Sequence, residues 1–122
     1  MFTHANFVDF LEKVFKETID VDLAINWLEE AHSSLQAEAT QLSELIDKSG
    51  YFEVSPEEVE YGLTAMGDYQ AAIEAVHSFL SEGWEEGLEV AIERAGEARD
   101  KMAMAHELAQ QTSLDLAFEA VY

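Results

Sequence analysis

Apolar residues recur every three or four positions along nearly the whole chain, and no stretch alternates in the manner of a strand. That rhythm restricts the fold to packed helices, whose boundaries carry recognisable punctuation. Thr3 or Asn6 suits the N-cap of a first helix with Phe7, Phe10, Leu11 and Val14 on one face. Asp20 or Asp22 suits a second helix that runs to about Lys48. Its stripe is Ala24, Leu28, Ala31, Leu35, Leu42, Leu45 and Ile46, and Gly50 supplies a left-handed stop. Tyr51 to Val54 form an apolar linker expected to pack down on the bundle or to make a short extended piece.

Ser55-Pro56-Glu57-Glu58 joins an N-cap serine, a first-position proline and a capping-box glutamate, the clearest helix start in the chain. Val59, Leu63, Met66, Ile73, Val76 and Leu80 follow as the third stripe, and Tyr61, Tyr69 and Phe79 widen its apolar arc. Gly83 breaks the chain. A fourth helix is then expected from about Trp84 to Gln111, with Trp84, Leu88, Ala91, Ala95, Ala98, Met102 and Ala109 as its stripe. Thr112-Ser113 can cap a last short helix, Leu114 to Tyr122. Short connections make neighbouring helices antiparallel. The expected fold is therefore all-α: a compact bundle of three long antiparallel helices plus a shorter helix at each end, in one domain over residues 1–122.

A chain of this length buries a core without staples, and 48% hydrophobic residues exclude disorder despite the charge. The absence of cysteine excludes disulfides, thiolate metal sites and cysteine nucleophiles. MFTHANFVDF has no basic region ahead of an apolar run, and no segment approaches the roughly eighteen apolar residues of a membrane span. A soluble, cytoplasmic protein is expected. Twenty-six acidic residues against six basic ones give a formal net charge of -20. Such a surface repels nucleic acid and anionic membranes, since binding either requires lysine and arginine. Basic proteins or cations are the partners it favours. Glutamate supplies nineteen of the acids, which fits helix building better than salt adaptation.

Two segments echo each other: LEEAHSSL, from Leu28 to Leu35, and IEAVHSFL, from Ile73 to Leu80. Met102 to Ala109 repeats the histidine and its apolar frame without the glutamate. Glu-x-x-His on two helices is half the pattern of a carboxylate-bridged di-metal bundle, in which all the ligands project inward. At about 100 degrees per residue, His32 and His77 reach the edge of the core, while Glu29 and Glu74 turn about 100 degrees or more away from it. Glu38 alone falls near a core position. His32, Glu38, His77 and His106 are thus weak metal candidates, and the expectation is boundary histidines with no cofactor. Glycine-rich phosphate loops and serine, histidine or paired-carboxylate constellations at catalytic spacing are absent too. A non-enzymatic role follows.

The more specific signal is an acidic row. Glu82, Glu86, Glu89, Glu93, Glu97 and Asp100 succeed one another at intervals of three, four or so residues, with Glu85 beside them. From Glu86 to Asp100 they centre about 180 degrees from the apolar stripe, as a band roughly 21 Å long. Like charges four residues apart cost a helix a few tenths of a kcal/mol per pair, so the band does not serve stability. Glu29, Glu30, Glu44 and Asp47 on the second helix, and Glu57, Glu60 and Asp68 on the third, are expected to face outward as well.

In being small, helical and very acidic, the chain is similar to the nucleic-acid-mimicking inhibitors that phages deploy against restriction or CRISPR nucleases. The likeness is one of composition. The function expected is docking on a basic, nucleic-acid-binding surface of another protein, through Glu82, Glu85, Glu86, Glu89, Glu93, Glu97 and Asp100. A small adaptor or secretion-chaperone-like protein is the alternative, binding or dimerising through surplus apolar side chains (Phe2, Tyr51, Phe52, Phe118, Val121, Tyr122). A carboxylate and histidine metal-binding bundle comes third.

Overall fold

The computed structural model describes residues 2–50, 53 and 55–121, with the backbone alone for 112–121. The described residues form an all-helical bundle of α1 (His4–Phe15), α2 (Val21–Ser49), α3 (Pro56–Glu82) and α4 (Gly87–Val121). Thr3 Oγ1 accepts from the Asn6 amide at 3.1 Å and starts α1. The Asp20 carboxylate accepts from the Asp22 amide and starts α2. Gly50 and Gly83 end α2 and α3 at φ 67° and 74°, a region where a side chain would be strained. Ser55 occupies the N-cap of α3, but its hydroxyl makes no capping hydrogen bond; Pro56 at the first turn marks the start.

α4 departs from expectation at both ends. It begins at Gly87, because Trp84 to Glu86 form a turn closed by the Gly87 amide on the Trp84 carbonyl. It then runs unbroken through Thr112-Ser113 to Val121, so the expected last short helix is part of α4. Thr and Ser are only mildly unfavourable inside a helix, and no glycine or proline precedes them to break it. Of the Tyr51–Val54 linker only Glu53 lies within the described residues, and it is helical.

Contacts fix the arrangement. Trp27 of α2 stacks on Phe10 of α1 at 4.1 Å between ring centroids. Residues 28–33 of α2 face 73–77 of α3, and Asp68 of α3 faces Arg94 and Lys101 of α4. Each pair of helices consecutive in the chain is antiparallel. All four surround a core of Phe7, Phe10, Leu11 and Val14 with Ala24, Leu28, Ala31, Leu35, Tyr69, Ile73 and Val76.

α1 is much shorter than its neighbours, at about 18 Å, and reaches only as far as residues 31–34 of α2, 69 of α3 and 99 of α4. Beyond it three helices remain, and several side chains expected in the core are exposed: Leu45, Leu63 and Met102. Periodicity names an apolar face but not whether a fourth helix covers it. Trp84, also expected inside, lies in the α3–α4 turn and is exposed.

α3 and α4 share the most extensive contact among the described helices. Their seam is built from small residues, Ala65, Ala72 and Ala75 against Ala91, Ala95 and Ala98, all buried. At its turn-proximal end the backbones nearly touch: a Cβ on Gly87 would lie 2.5 Å from the Ala75 carbonyl oxygen. Asp68, expected outside, is buried at 6% exposure beside this seam. Lys101 Nζ donates to its Oδ2 at 2.6 Å and Arg94 approaches Oδ1 at 3.5 Å, which provide the partners that a buried carboxylate requires.

Candidate protein-docking surface

The alanine seam dictates what the rest of α4 presents. With Ala91, Ala95 and Ala98 turned inward, Glu89, Glu93, Glu97 and Asp100 fall on the opposite side, and all four are exposed. They span twelve residues of continuous helix, about 16 Å from first to last. Glu82 ends α3, while Glu85 and Glu86 stand in the turn, so the helical row is shorter than its expected 21 Å and is extended by a bend. All seven candidate acids are exposed.

Their electrostatics depend on where the few cations go. Lys13 and Lys16 pair with Asp9 and Glu12 along α1, at 3.2 and 2.6 Å. Lys101 and Arg94 turn toward buried Asp68, Arg94 also standing 3.5 Å from Glu97, and Arg99 pairs with Asp100 at 3.3 Å. Five of the six basic residues are therefore engaged inside the chain. Among the described residues no ion pair reaches Glu82, Glu85, Glu86, Glu89 or Glu93. Their charge is directed to solvent.

The two Glu-x-x-His segments meet. The antiparallel register of α2 and α3 brings Glu29, His32 and Ser33 opposite Ile73, Glu74 and His77 around one shallow groove. The glutamates, expected to point elsewhere, border that groove while remaining exposed. Both histidines are half-buried at its edge, and the Ser81 hydroxyl donates to the His77 carbonyl at 2.7 Å. Glu38 is half-buried further along α2, and His106 is exposed on α4, 3.2 Å from Gln110. Among the described residues no three histidines or carboxylates are grouped to hold a metal ion. No helix there is long and apolar enough to cross a membrane.

A second groove, of about 570 Å³, lies between α1 and α4. Leu11 and Ala95 form its buried floor, and Val8, Phe15 and Ile92 form its lips at 45%, 74% and 57% exposure. His4 and Arg99 close one end. His4 Nδ1 lies 2.8 Å from the Tyr69 hydroxyl, and burial, reinforced by the Arg99 guanidinium, lowers its pKa below the usual 6.5. Burial likewise raises that of Tyr69.

Sequence reasoning missed this groove, the Asp68 ion cluster and the His4–Tyr69 contact. Only the spacing 4, 8, 11, 15 on α1 and 92, 95, 99 on α4 signals the groove. Of the surplus apolar side chains, Phe2 is half-buried against Phe7 and Tyr69. Tyr51, Phe52 and Tyr122, and the side chains of Phe118 and Val121, lie outside the described residues. No family model, curated protein or solved structure matches the chain.

Proposed function

We propose that this protein is a non-enzymatic docking module that occupies a basic, nucleic-acid-binding surface of another protein, as a mimic of the nucleic acid. One observation carries the reading: five of the six cations are engaged within the chain, while among the described residues Glu82, Glu85, Glu86, Glu89 and Glu93 present unpaired charge from the end of α3, the turn and a helix held by a close-packed seam. A row of fixed anions at helical spacing offers a basic cleft charges at a density of the same order as a nucleic-acid strand, which carries one phosphate per 3.4 Å. Rigidity matters because a preformed helix docks without the entropy cost of ordering its backbone, leaving only that of the side chains.

Reversing Glu89, Glu93 and Glu97 together to lysine tests this. Capture of basic nucleic-acid-binding proteins from a nuclease-treated host extract is expected to be lost, while helicity measured by circular dichroism is kept. Unchanged capture by the folded triple variant would overturn the reading. A second reading, an adaptor that binds through apolar surface, is favoured by the exposed lips of the α1–α4 groove.

A further inference from the structure

We infer that the α1–α4 groove receives a cationic amphipathic helix of the partner, so that recognition combines an apolar anchor with the acidic row. The inference rests on the docking function proposed above and specifies what docks. His4, Val8, Leu11 and Phe15 form one ridge, and Ile92, Ala95 and Arg99 the facing one. Both follow the spacing by which a helix offers a face to another helix. The groove runs the length of α1, about 16 Å from His4 to Phe15, which matches three turns of an incoming helix. Leaving Val8, Phe15 and Ile92 in water is unfavourable, and an apolar side chain laid between them relieves it.

Charge selects the occupant. The charged side chains that line the groove, Glu12 and Arg99, are paired with Lys16 and Asp100. Just outside it Glu89 stands one turn before Ile92, and Glu93 lies one turn before Gly96, both exposed and without an ion pair among the described residues. A helix seated between the lips places its flanking positions beside these carboxylates, so lysine or arginine belongs there. A second copy of this chain is disfavoured, because each copy carries a net charge of -20 and would bring its own acidic row against the other. An anionic lipid surface is disfavoured for the same reason.

The probes are three labelled peptides: a fourteen-residue leucine–lysine helix with all its leucines on one face, the same composition with the leucines scattered, and an oligolysine. Binding is read by fluorescence anisotropy at about 0.15 M salt. The amphipathic peptide is expected to bind at least tenfold more tightly than the scattered one. Val8→Gln with Ile92→Gln is expected to erase that preference and leave oligolysine affinity unchanged. The companion pair Val21→Gln with Leu23→Gln, also at exposed apolar positions but away from the groove, is expected to keep it. Both pairs alter exposed side chains, and circular dichroism verifies that they fold.

A preference below tenfold, or one that survives Val8→Gln with Ile92→Gln, overturns the inference. So does a wild-type dimer in sedimentation that the same pair converts to monomer, since the groove would then be a self-contact. Oligolysine binding without a groove-dependent preference would remove this inference alone. Failure of every cationic probe to bind at low salt would remove the docking function with it.

Discussion

Replacing Gly87 with alanine places one methyl group where α3 and α4 cross. The added Cβ would lie 2.5 Å from the Ala75 carbonyl oxygen and 2.8 Å from Phe79 Cβ, up to 0.9 Å inside the 3.4 Å of an ordinary contact. The obstacle is backbone in the middle of a helix, so no side-chain rotation clears it. Either the hairpin opens by nearly 1 Å or the first turn of α4 unwinds. Overpacking of this kind costs about 1–3 kcal/mol, and the better helix propensity of alanine offsets at most about 1 kcal/mol, less in a first turn. The net expectation is a loss of about 1–2 kcal/mol, which at about 4 °C per kcal/mol lowers Tm by about 4–8 °C. Gly62 and Gly67 are internal controls, since a Cβ there meets nothing within 4 Å. Alanine at either position should raise stability by up to about 1 kcal/mol. Urea unfolding followed by circular dichroism measures all three variants. Gly87→Ala as stable as the wild type would refute the close approach, and with it the rigid mounting of the acidic row.

Asp68→Ala strands Lys101 and Arg94 beside the seam and should cost about 1–3 kcal/mol by urea unfolding, discounted because both cations reach water; a loss below about 0.5 kcal/mol would show that the cluster is idle. His4 has its pKa lowered by burial and by Arg99, so below pH 6.5 the unfolded chain binds more protons there than the folded one, and stability is lost as the pH is lowered through that window. The groups facing it are the charged Arg99 guanidinium on α4 and the neutral Tyr69 hydroxyl on α3. His4→Gln should therefore flatten the stability–pH curve below pH 6.5 relative to wild type, and identical slopes would contradict this. Glu89→Gln with Glu93→Gln relieves like-charge neighbours four residues apart and should raise stability by about 0.5 kcal/mol at low salt and less at high salt, read as the shift in Tm; a fall in stability would mean that these carboxylates support the fold.

For α1 and α2, and for the end of α3, the sequence announces helix boundaries better than helix partners; for α4 it does neither, since Trp84 and Thr112-Ser113 do not bound it. Thr3, Asp20, Gly50 and Gly83 act where their chemistry places them, since capping and left-handed conformation are local properties. All four residues of the α1 stripe are buried because that face of α1 meets neighbouring helices along its whole length. Leu45 and Met102 occupy stripe positions and are exposed because α1 stops short of them, which depends on distance through space. The α3–α4 seam was half legible. Ala91, Ala95 and Ala98 belong to the apolar stripe of α4, but the periodicity of α3 picks out larger side chains than Ala65, Ala72 and Ala75, although close approach requires small ones. Asp68 read as a surface acid because burial of a carboxylate is decided by cations 26 and 33 residues away. The exposed carboxylates of α4 were legible because an outward face follows directly from an inward one. The neighbouring groove was not, because it belongs to two helices brought together only by folding.

Competition with nucleic acid tests the docking role most directly. A partner captured on the immobilised chain is challenged with double-stranded DNA or RNA, at salt raised from about 0.05 to about 0.2 M. The expected result is displacement by the nucleic acid and a steep fall in affinity with salt. A partner that stays bound together with its nucleic acid, or holds equally well at both salt concentrations, would contradict the proposal.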